Sequence, residues 1–307
     1  MAITAKQVKE LREITGAGMM DCKKALEEAD ANIDKAIEVL REKGLSKVKK
    51  KEGRIAAEGL AKFAIAEDGK SAAVVEVNSE TDFVAKNQEF IDFVEGLAKL
   101  ALDNDAADID AFKALSFDGG TVNEALTQKI SKIGENMNIR RFQKLSEPGV
   151  VYAGYLHNMG KIAVIVGIKT DALLDEIQTV GKDVAMQVAS MKPEFLDETK
   201  VDQAYLDHEK EVLKQEVLNE GKKPEMVDRI VEGKIKKELK EVCLVDQKFV
   251  KDSDVTVEEY VANAGKAIGK DMKIASYVRF EVGEGVEKKE EDFAAEVAAQ
   301  QAEAAKK

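Results

Sequence analysis

The chain has 307 residues, of which 35% are charged and none is tryptophan, and its formal net charge at pH 7 is -12. A chain of this length can form more than one compact unit, and this composition is typical of a helix-rich protein with modest cores. The negative charge repels polyanions, so a protein is a better candidate partner than nucleic acid. No segment is apolar for long enough to span a bilayer, and residues 1–9 lack a secretory apolar run. We therefore expect a cytoplasmic protein without a membrane span.

Motifs for cofactor chemistry are missing from the sequence. Cys22 and Cys243 lie far apart and without metal or redox spacing, which fits a reducing compartment where buried thiols act as small apolar side chains. There is no glycine-rich phosphate loop and no His/Cys/Asp spacing for a metal. We expect no cofactor, no metal site and no direct nucleotide binding.

Residues 1–45 predict three short helices around a small core of their own, with turns at residues 16–18 and 30–32. The apolar positions expected in this core are Val8, Leu11, Met20, Ala25, Leu26, Ile33, Ala36, Ile37 and Leu40. We expect the third helix to stop at Gly44. The basic residues that follow, from Lys47 to Arg54, are then a solvated linker or an RNA contact. This module with its basic linker is predicted to end at residue 54.

Residues 55–148 predict a first α+β core subdomain. Asp68-Gly69 lies between two apolar runs, which is a strong β-hairpin signal. Asn87 is placed to cap a helix whose apolar residues recur at helical spacing. The connection between hairpin and helix contains Asp82 and Phe83. Spacing alone leaves two interpretations open: Phe83 is presented outward for insertion into a partner, or it is a core residue of the loop with Asp82 as a local cap.

The order strand, turn, strand, connection, helix recurs in the second part of the core, from Ala153 to Ala189. We therefore predict a duplicated α+β core with antiparallel sheets, in which helices cover one face of each sheet. The second subdomain comprises residues 149–194 and 243–282. Residues 195–242, which are charge-dense and interrupted by a Gly/Pro turn, predict an inserted antiparallel helical hairpin, a coiled-coil arm.

The last predicted unit is a C-terminal module, residues 283–307, with a short amphipathic helix that carries Phe293 and Val297 on one side. A helix this short is marginal in water, so it must dock, either on a partner or on the chain's own core. The arm has two open roles as well, partner contact and self-association.

A catalytic constellation is not evident. The chain has two histidines, His157 in the second hairpin turn and His208 in the arm, and neither has a nucleophile or orienting partner in the sequence. Glu80 and Asp82 are loop acids of the kind that are usually solvated. Gly134 lets a backbone approach closely, so Ile133 beside it could reach a partner; alternatively, Gly134 accommodates packing and Ile133 is core.

Four segments, collinear over nearly the whole chain, resemble the elongation factor Ts family. In chain order they are Val8–Arg12 with Thr15–Leu26, Thr81–Asn87, Lys132–Asn136 with Ile139–Arg141, and Phe280–Gly285. The resemblance implies a protein that is not an enzyme and that makes the translational GTPase elongation factor Tu release GDP. It would bind the nucleotide-free GTPase and disturb its Mg²⁺ and phosphate sites. The resemblance also implies that the three-helix module is similar to ubiquitin-associated domains.

Residues that match the family's contact positions are implied to bind the partner. They are Lys23, Thr81, Asp82, Phe83, Val84, Ile133, Gly134 and His157. Two other classes stay open on the residues themselves: a cytosolic ubiquitin-associated-like adaptor without exchange activity, and a hydrolase or lyase that uses loop carboxylates.

Overall fold

The computed structural model describes residues 3–286, apart from the side chains of residues 45 and 47. The predicted C-terminal helix around Phe293 and Val297 therefore lies outside the described residues. Within residues 3–286 the chain combines α-helices with antiparallel sheets, which confirms the α+β class. Among the same residues, no helix has both the length and the apolarity that a membrane span requires. The limits of the predicted units stay predictions.

Three helices form the amino-terminal module: α1 (Ala5–Thr15), α2 (Met19–Glu28) and α3 (Ile33–Lys49). Thr4 and Gln7 make a reciprocal capping box at the start of α1, and Gly16 ends that helix in the left-handed conformation. Leu11 and Leu26 are fully buried in the small core that the three helices share. The predicted module with its own core is thus observed.

Two details of this module differ from the prediction. Helix α3 does not stop at Gly44 but continues to Lys49. Gly44 is buried, and a side chain there would meet Thr127 on a neighbouring helix. Helix packing at this point outweighs the cost of about 1 kcal/mol for a glycine in a helix, so the basic residues up to Lys49 lie on the helix and not in a linker. Met20, expected in the core, is 63% exposed.

The first half of the core has nine helices and strands, the last of which is the third main strand of its sheet. They are β1 (Glu58–Ile65), β2 (Ala72–Ser79), α4 (Asp82–Ala85), α5 (Gln88–Asp103), α6 (Ile109–Ala114), β3 (Ser116–Phe117), β4 (Gly120–Thr121), α7 (Val122–Ile133) and β5 (Met137–Leu145). The antiparallel sheet has the order β1-β2-β5. The predicted hairpin and the Asn87 cap are both confirmed: Gly69 has a positive φ in the turn, and the Asn87 side chain accepts from the Glu89 N–H.

The second half repeats this topology. It consists of β6 (Val150–His157), β7 (Ile162–Lys169), α8 (Leu174–Met191), the arm helices α9 (Gln203–Asn219) and α10 (Pro224–Val242), β8 (Lys248–Phe249), β9 (Asp252–Thr256), α11 (Val257–Ile268) and β10 (Lys273–Glu281). Its sheet has the order β10-β7-β6, so in each half the second strand is central and the last strand pairs with it. The predicted duplication is observed in the order and pairing of the elements.

The repeat extends to individual residues around α7 and α11. Each helix starts with a Thr-Val pair whose threonine forms a capping box with a glutamate, Thr121 with Glu124 and Thr256 with Glu259. Each ends at a left-handed glycine, Gly134 or Gly269. Each glycine is followed three residues later by a buried methionine that precedes or begins the last strand.

The two sheets pack face to face, and helices cover their outer faces. The core between the sheets contains Val74, Tyr152 and Ile165. Outside the first sheet lie α5, α6 and α7, and outside the second lie α8 and α11. Helix α3 packs against α7, which attaches the amino-terminal module to the first half.

Because the two halves face each other, the hairpin turn of each one meets the other half. Gly69 in the first turn lies against Val151 and Leu174, while Gly160 in the second turn lies against the main chain of Ala61 in β1. The turn of the second half is thereby placed at the end of the first half where β2 leads into α4.

Helices α9 and α10 form the predicted antiparallel hairpin. Val217, Val227, Val231 and Ile235 are buried along its seam. Pro224 occupies the start of α10, where its missing N–H is not needed. The chain leaves the core at Phe195 and returns beside it at Cys243, where the Leu244 N–H donates to the Phe195 carbonyl. His208 lies exposed on α9.

Both thiols are fully buried, as expected for small apolar side chains. Burial, assisted by the charge of Asp246, raises the pKa of Cys243 to about 11. At pH 8 only about one such thiol in a thousand is ionised, and the thiolate is the reactive form. We expect a thiol reagent such as dithionitrobenzoate to leave both cysteines unmodified in the folded protein and to titrate two thiols in urea. Rapid titration of one thiol without urea would contradict the burial.

Candidate partner-binding site

The most exposed large apolar side chain in the described part of the chain is Phe83, at 78%. It lies in α4, a single helical turn directly after β2. Val84 and Ala85, which follow it, are buried in the first core and hold the turn in place. The same geometry that buries these two residues directs Phe83 outward. Phe83 is therefore not a core residue of its loop.

Val84 has a different place from the other residues implied to bind a partner. Its side chain is only 5% exposed. In this conformation it anchors the tip, which we define as Thr81 to Ala85, and does not reach the surface. The motif match predicted that Val84 contacts the partner together with its neighbours. Residue types alone do not show which residues of a contiguous motif face the core and which face the solvent.

Asp82 forms an ion pair with Lys86, one helical turn later, at 2.6 Å. The hydrogen bond from the Lys86 ammonium, helped by the charge of Lys161, lowers the pKa of Asp82 below its ordinary value. The Lys86 ammonium is also 5.7 Å from the Phe83 ring centroid. Asp82 is thus a charged surface group beside an exposed aromatic. The helix cap position belongs to Thr81, and not to Asp82.

Gly134 and the tip are neighbours in space. Helix α7 ends at Gly134, which has a φ of 90°. The next residue, Glu135, accepts two hydrogen bonds from Thr81: the main-chain N–H donates to Oε2 at 3.0 Å and the hydroxyl donates to Oε1 at 2.7 Å. Ile133 is half-buried against the first core, and Gly134 is exposed. The structure therefore brings two separate sequence segments into one surface.

His157 is the last residue of β6 and is exposed. One ring nitrogen, Nδ1, is 3.2 Å from the Tyr155 hydroxyl. The turn after it, Asn158 to Gly160, packs on β1, and Lys161 beyond the turn is close enough to Asp82 to influence its pKa. His157 thus belongs to the same end of the molecule as the tip.

Sequence reasoning missed Met159 in this turn. Its side chain is 75% exposed, and its φ of 56° is unusual for a residue other than glycine. Periodicity gives no signal for an exposed methionine in a turn. The flanking Asn158 and Gly160, which also have positive φ, are the only local indication of the tight turn that turns it outward.

Lys23 lies on the amino-terminal module, apart from the tip. It is exposed on α2 and pairs with Glu27 at 3.9 Å. Three apolar side chains near the α1–α2 turn are exposed as well: Ile14, Met19 and Met20. The module is joined to the core through α3 and α7, including an ion pair between Arg41 and Glu124.

Residues 3–286 contain no group of three or more His, Cys, Asp or Glu side chains arranged to hold a metal. A groove of about 480 Å³ lies between residues 104–109 and 140–144. Its acids have structural partners: Asp105 pairs with Lys144 at 2.7 Å, and Asp108 caps α6. Neither acid has the free, paired geometry of an acid-base site.

These features define an α+β protein with an exposed apolar side chain on a short turn that is anchored in the core, a surface typical of protein-binding proteins. Comparison with known proteins identifies its family. The family model described as "Elongation factor TS" matches residues 80–284. Elongation factor Ts of Clostridioides difficile is 53% identical over 299 residues, covering 97% of this chain and 98% of that relative. The protein of the same name from Clostridium tetani is 53% identical over 298 residues, with 96% and 98% covered. The chain belongs to the elongation factor Ts family of translation elongation factors.

Proposed function

We propose that the chain promotes GDP release from the GTPase elongation factor Tu by binding its nucleotide-free state, without being an enzyme itself. The observation that carries the proposal is the placement of Phe83, 78% exposed on a turn whose other side is anchored in the core. Aromatic side chains are enriched at protein interfaces, and a ring that is already ordered on a rigid element can bury its apolar area in a partner at little entropic cost. The family membership supplies the identity of that partner.

The thermodynamic requirement is differential binding. An exchange factor must bind the empty GTPase more tightly than the GDP-bound one, and by linkage GDP weakens its binding by the same ratio. Each tenfold loss of GDP affinity requires about 1.4 kcal/mol of contact that is available only in the empty state. Burial of one phenylalanine contributes about 1.5 to 3 kcal/mol. Phe83 alone therefore accounts for one to two factors of ten, and further contacts must supply the rest.

The positions of the remaining candidates suggest how the contacts divide. Phe83 would insert between elements that support the Mg²⁺ site of the GTPase, and the charged Asp82 would compete for groups near the metal. Ile133 and Gly134, which adjoin the tip, would act on the phosphate-binding region. His157, on the adjacent turn, would contact another domain of the partner.

The amino-terminal module would add a separate anchor. Lys23 is exposed on α2 beside an apolar patch of Met19 and Met20. A patch of this kind with a lysine at its edge suits a surface that is both apolar and acidic. Under this proposal the module docks on the nucleotide domain of the partner and raises affinity without distorting the nucleotide site.

The proposal predicts the outcome of a stopped-flow measurement. Elongation factor Tu loaded with fluorescent GDP is mixed with excess unlabelled GDP, with and without the full chain. We expect the release rate to rise with chain concentration and to reach a plateau, because the complex must form before the nucleotide leaves. A release rate that does not depend on the chain would contradict exchange activity. It would favour a ubiquitin-associated-like adaptor, which binds proteins through the first module only.

A further inference from the structure

The Glu135 carboxylate joins the two surface segments to which the proposed function assigns nucleotide release. It accepts from the Thr81 N–H and hydroxyl, and it directly follows Gly134. We propose that Glu135 is a positioning residue that holds the Phe83 tip and the Ile133–Gly134 turn as one rigid contact. The inference rests on the proposed function and assigns a role to a side chain that need not touch the partner.

The tip needs such a support because it is too short to be ordered by itself. Helix α4 has four residues, Asp82 to Ala85, and an isolated helix of this length is unstable. Its cap residue, Thr81, makes no side-chain capping bond within the helix. The main-chain N–H and the hydroxyl of Thr81 are instead bound to Glu135. The direction of Phe83 is therefore set by one carboxylate and by the burial of Val84.

A second set of hydrogen bonds extends the same support. The Glu80 carboxylate accepts from the Asn136 N–H, and the Asn136 side chain donates to the Arg54 carbonyl at 2.7 Å. The Ser79 hydroxyl donates to the Thr81 carbonyl at 3.0 Å. Glu80, just before the tip, and Thr81, its first residue, are thus both tied to the segment that follows α7. We therefore expect a displacement of one contact segment to move the other.

The second half of the core provides an internal comparison. There the sequence Thr170-Asp171-Ala172 follows the central strand, where the first half has Thr81-Asp82-Phe83. Lys270 follows Gly269 at the place of Glu135 and donates to the Asp171 carbonyl at 3.1 Å. The half without an exposed phenylalanine also lacks the carboxylate. A carboxylate at this position is therefore not required by the repeated fold, which favours a role tied to Phe83.

Rigidity has a direct consequence for exchange. When a preformed tip enters a pocket, the full free energy of burying Phe83 stabilises the distorted state of the partner. When the tip is loose, part of that free energy is consumed in ordering it. Loss of Glu135 should therefore slow the release step more than it weakens docking, since most of the docking surface lies elsewhere.

The test uses Glu135→Ala and Thr81→Val in the full chain. Valine keeps the β-branched shape that suits the extended backbone of Thr81 and removes only the hydroxyl. Stopped-flow release of fluorescent GDP from elongation factor Tu is measured over a range of chain concentrations. For Glu135→Ala we expect the maximal rate to fall about tenfold, and the half-saturating concentration to change by less than about threefold. Glu135→Gln still offers an oxygen to the Thr81 hydroxyl. Its maximal rate should lie between those of the wild-type chain and of Glu135→Ala.

A double-mutant cycle separates this role from a general loss of structure. If Glu135 acts through Thr81, the double variant is no slower than Glu135→Ala alone. Lys270→Ala is the matched control in the second half and should release GDP at the wild-type rate. Thermal unfolding of each variant identifies a temperature at which all of them are folded, and rates are compared there.

The outcomes distinguish this inference from the function on which it rests. A wild-type chain without any effect on release overturns the proposed function. A wild-type chain that accelerates release, together with Glu135→Ala at the same maximal rate, overturns only the positioning role. Additive losses in the double variant overturn it as well, because the two residues would then act independently.

Discussion

Stimulated GDP release is expected to fall by about one to two orders of magnitude when Phe83 is replaced by alanine. The physical reason is the loss of the apolar area that only the distorted partner would bury. The folded chain itself should be unaffected, since Phe83 is 78% exposed and its ring supports no core. We expect the free energy of unfolding to change by less than about 0.5 kcal/mol. Stopped-flow release and urea unfolding measure the two effects on one preparation.

The comparison of release with docking decides what kind of contact Phe83 makes. Affinity for nucleotide-free elongation factor Tu, measured by titration calorimetry, should fall less than the maximal release rate. Equal losses of affinity and of maximal release rate would show that Phe83 contributes only to docking and not to the release step. Leu173→Ala is a suitable control, because Leu173 is 67% exposed just beyond the corresponding segment of the second half. Its replacement should leave release unchanged.

The second large effect concerns the stability of the core. Glu76 in β2 is fully buried, yet its carboxylate is satisfied by four donors. They are the Asn78 side chain at 3.1 Å, Arg140 at 3.1 Å, Arg141 at 2.6 Å and the Gly283 N–H at 2.9 Å. Arg141 also stacks 4.2 Å from the centroid of the Phe280 ring. The carboxylate thus ties the central strand of the first sheet to the segment that follows β10.

Replacing Glu76 by alanine should lower the free energy of unfolding by about 3 kcal/mol. The buried Gly283 N–H loses its acceptor, and both arginines lose their counter-charge. The loss stays near the lower end of the range for buried pairs because Arg140 and Arg141 are partly exposed and can be rehydrated. Urea unfolding followed by circular dichroism measures the change.

Glu284→Ala is the control for this prediction. Glu284 pairs with Arg141 at 3.2 Å, but its side chain is 49% exposed. An exposed pair contributes less than about 1 kcal/mol, so the midpoint should move little. If Glu76→Ala were as mild as Glu284→Ala, the buried network would be a consequence of the packing and not a support of it.

Local signals in the sequence were sufficient for most of the secondary structure. Asp68-Gly69 predicted the first hairpin, and Asn87 predicted the start of α5, because a turn or a cap depends on residues within a few positions of it. The end of α3 was mispredicted at Gly44, since packing on α7 overrides local propensity there. Met20 was mispredicted as core because helical spacing does not tell which face a short helix buries.

The duplication is recorded in the sequence by shared residues as well as by the order of the elements, and the prediction used only the order. The order of elements predicted two related halves. The shared Thr-Val starts at 121 and 256 and the glycine ends at 134 and 269 are identities that a residue-by-residue comparison would have detected. That comparison also contrasts Phe83 with Ala172 and Glu135 with Lys270, and these contrasts mark the first half as the one that carries the tip.

The sequence by itself determined most of the helices and strands, the chemistry of the Asp82-Phe83 pair, and, through its motifs, the family. Only the tertiary structure decided that Phe83 faces outward while Val84 is buried, and that Glu135 supports Thr81. It also decided that the His157 turn lies at the same end as the tip. The physical reason is that these contacts join residues far apart in the chain. Their distances depend on how β5 pairs with β2 and how the two sheets pack, which no local pattern specifies.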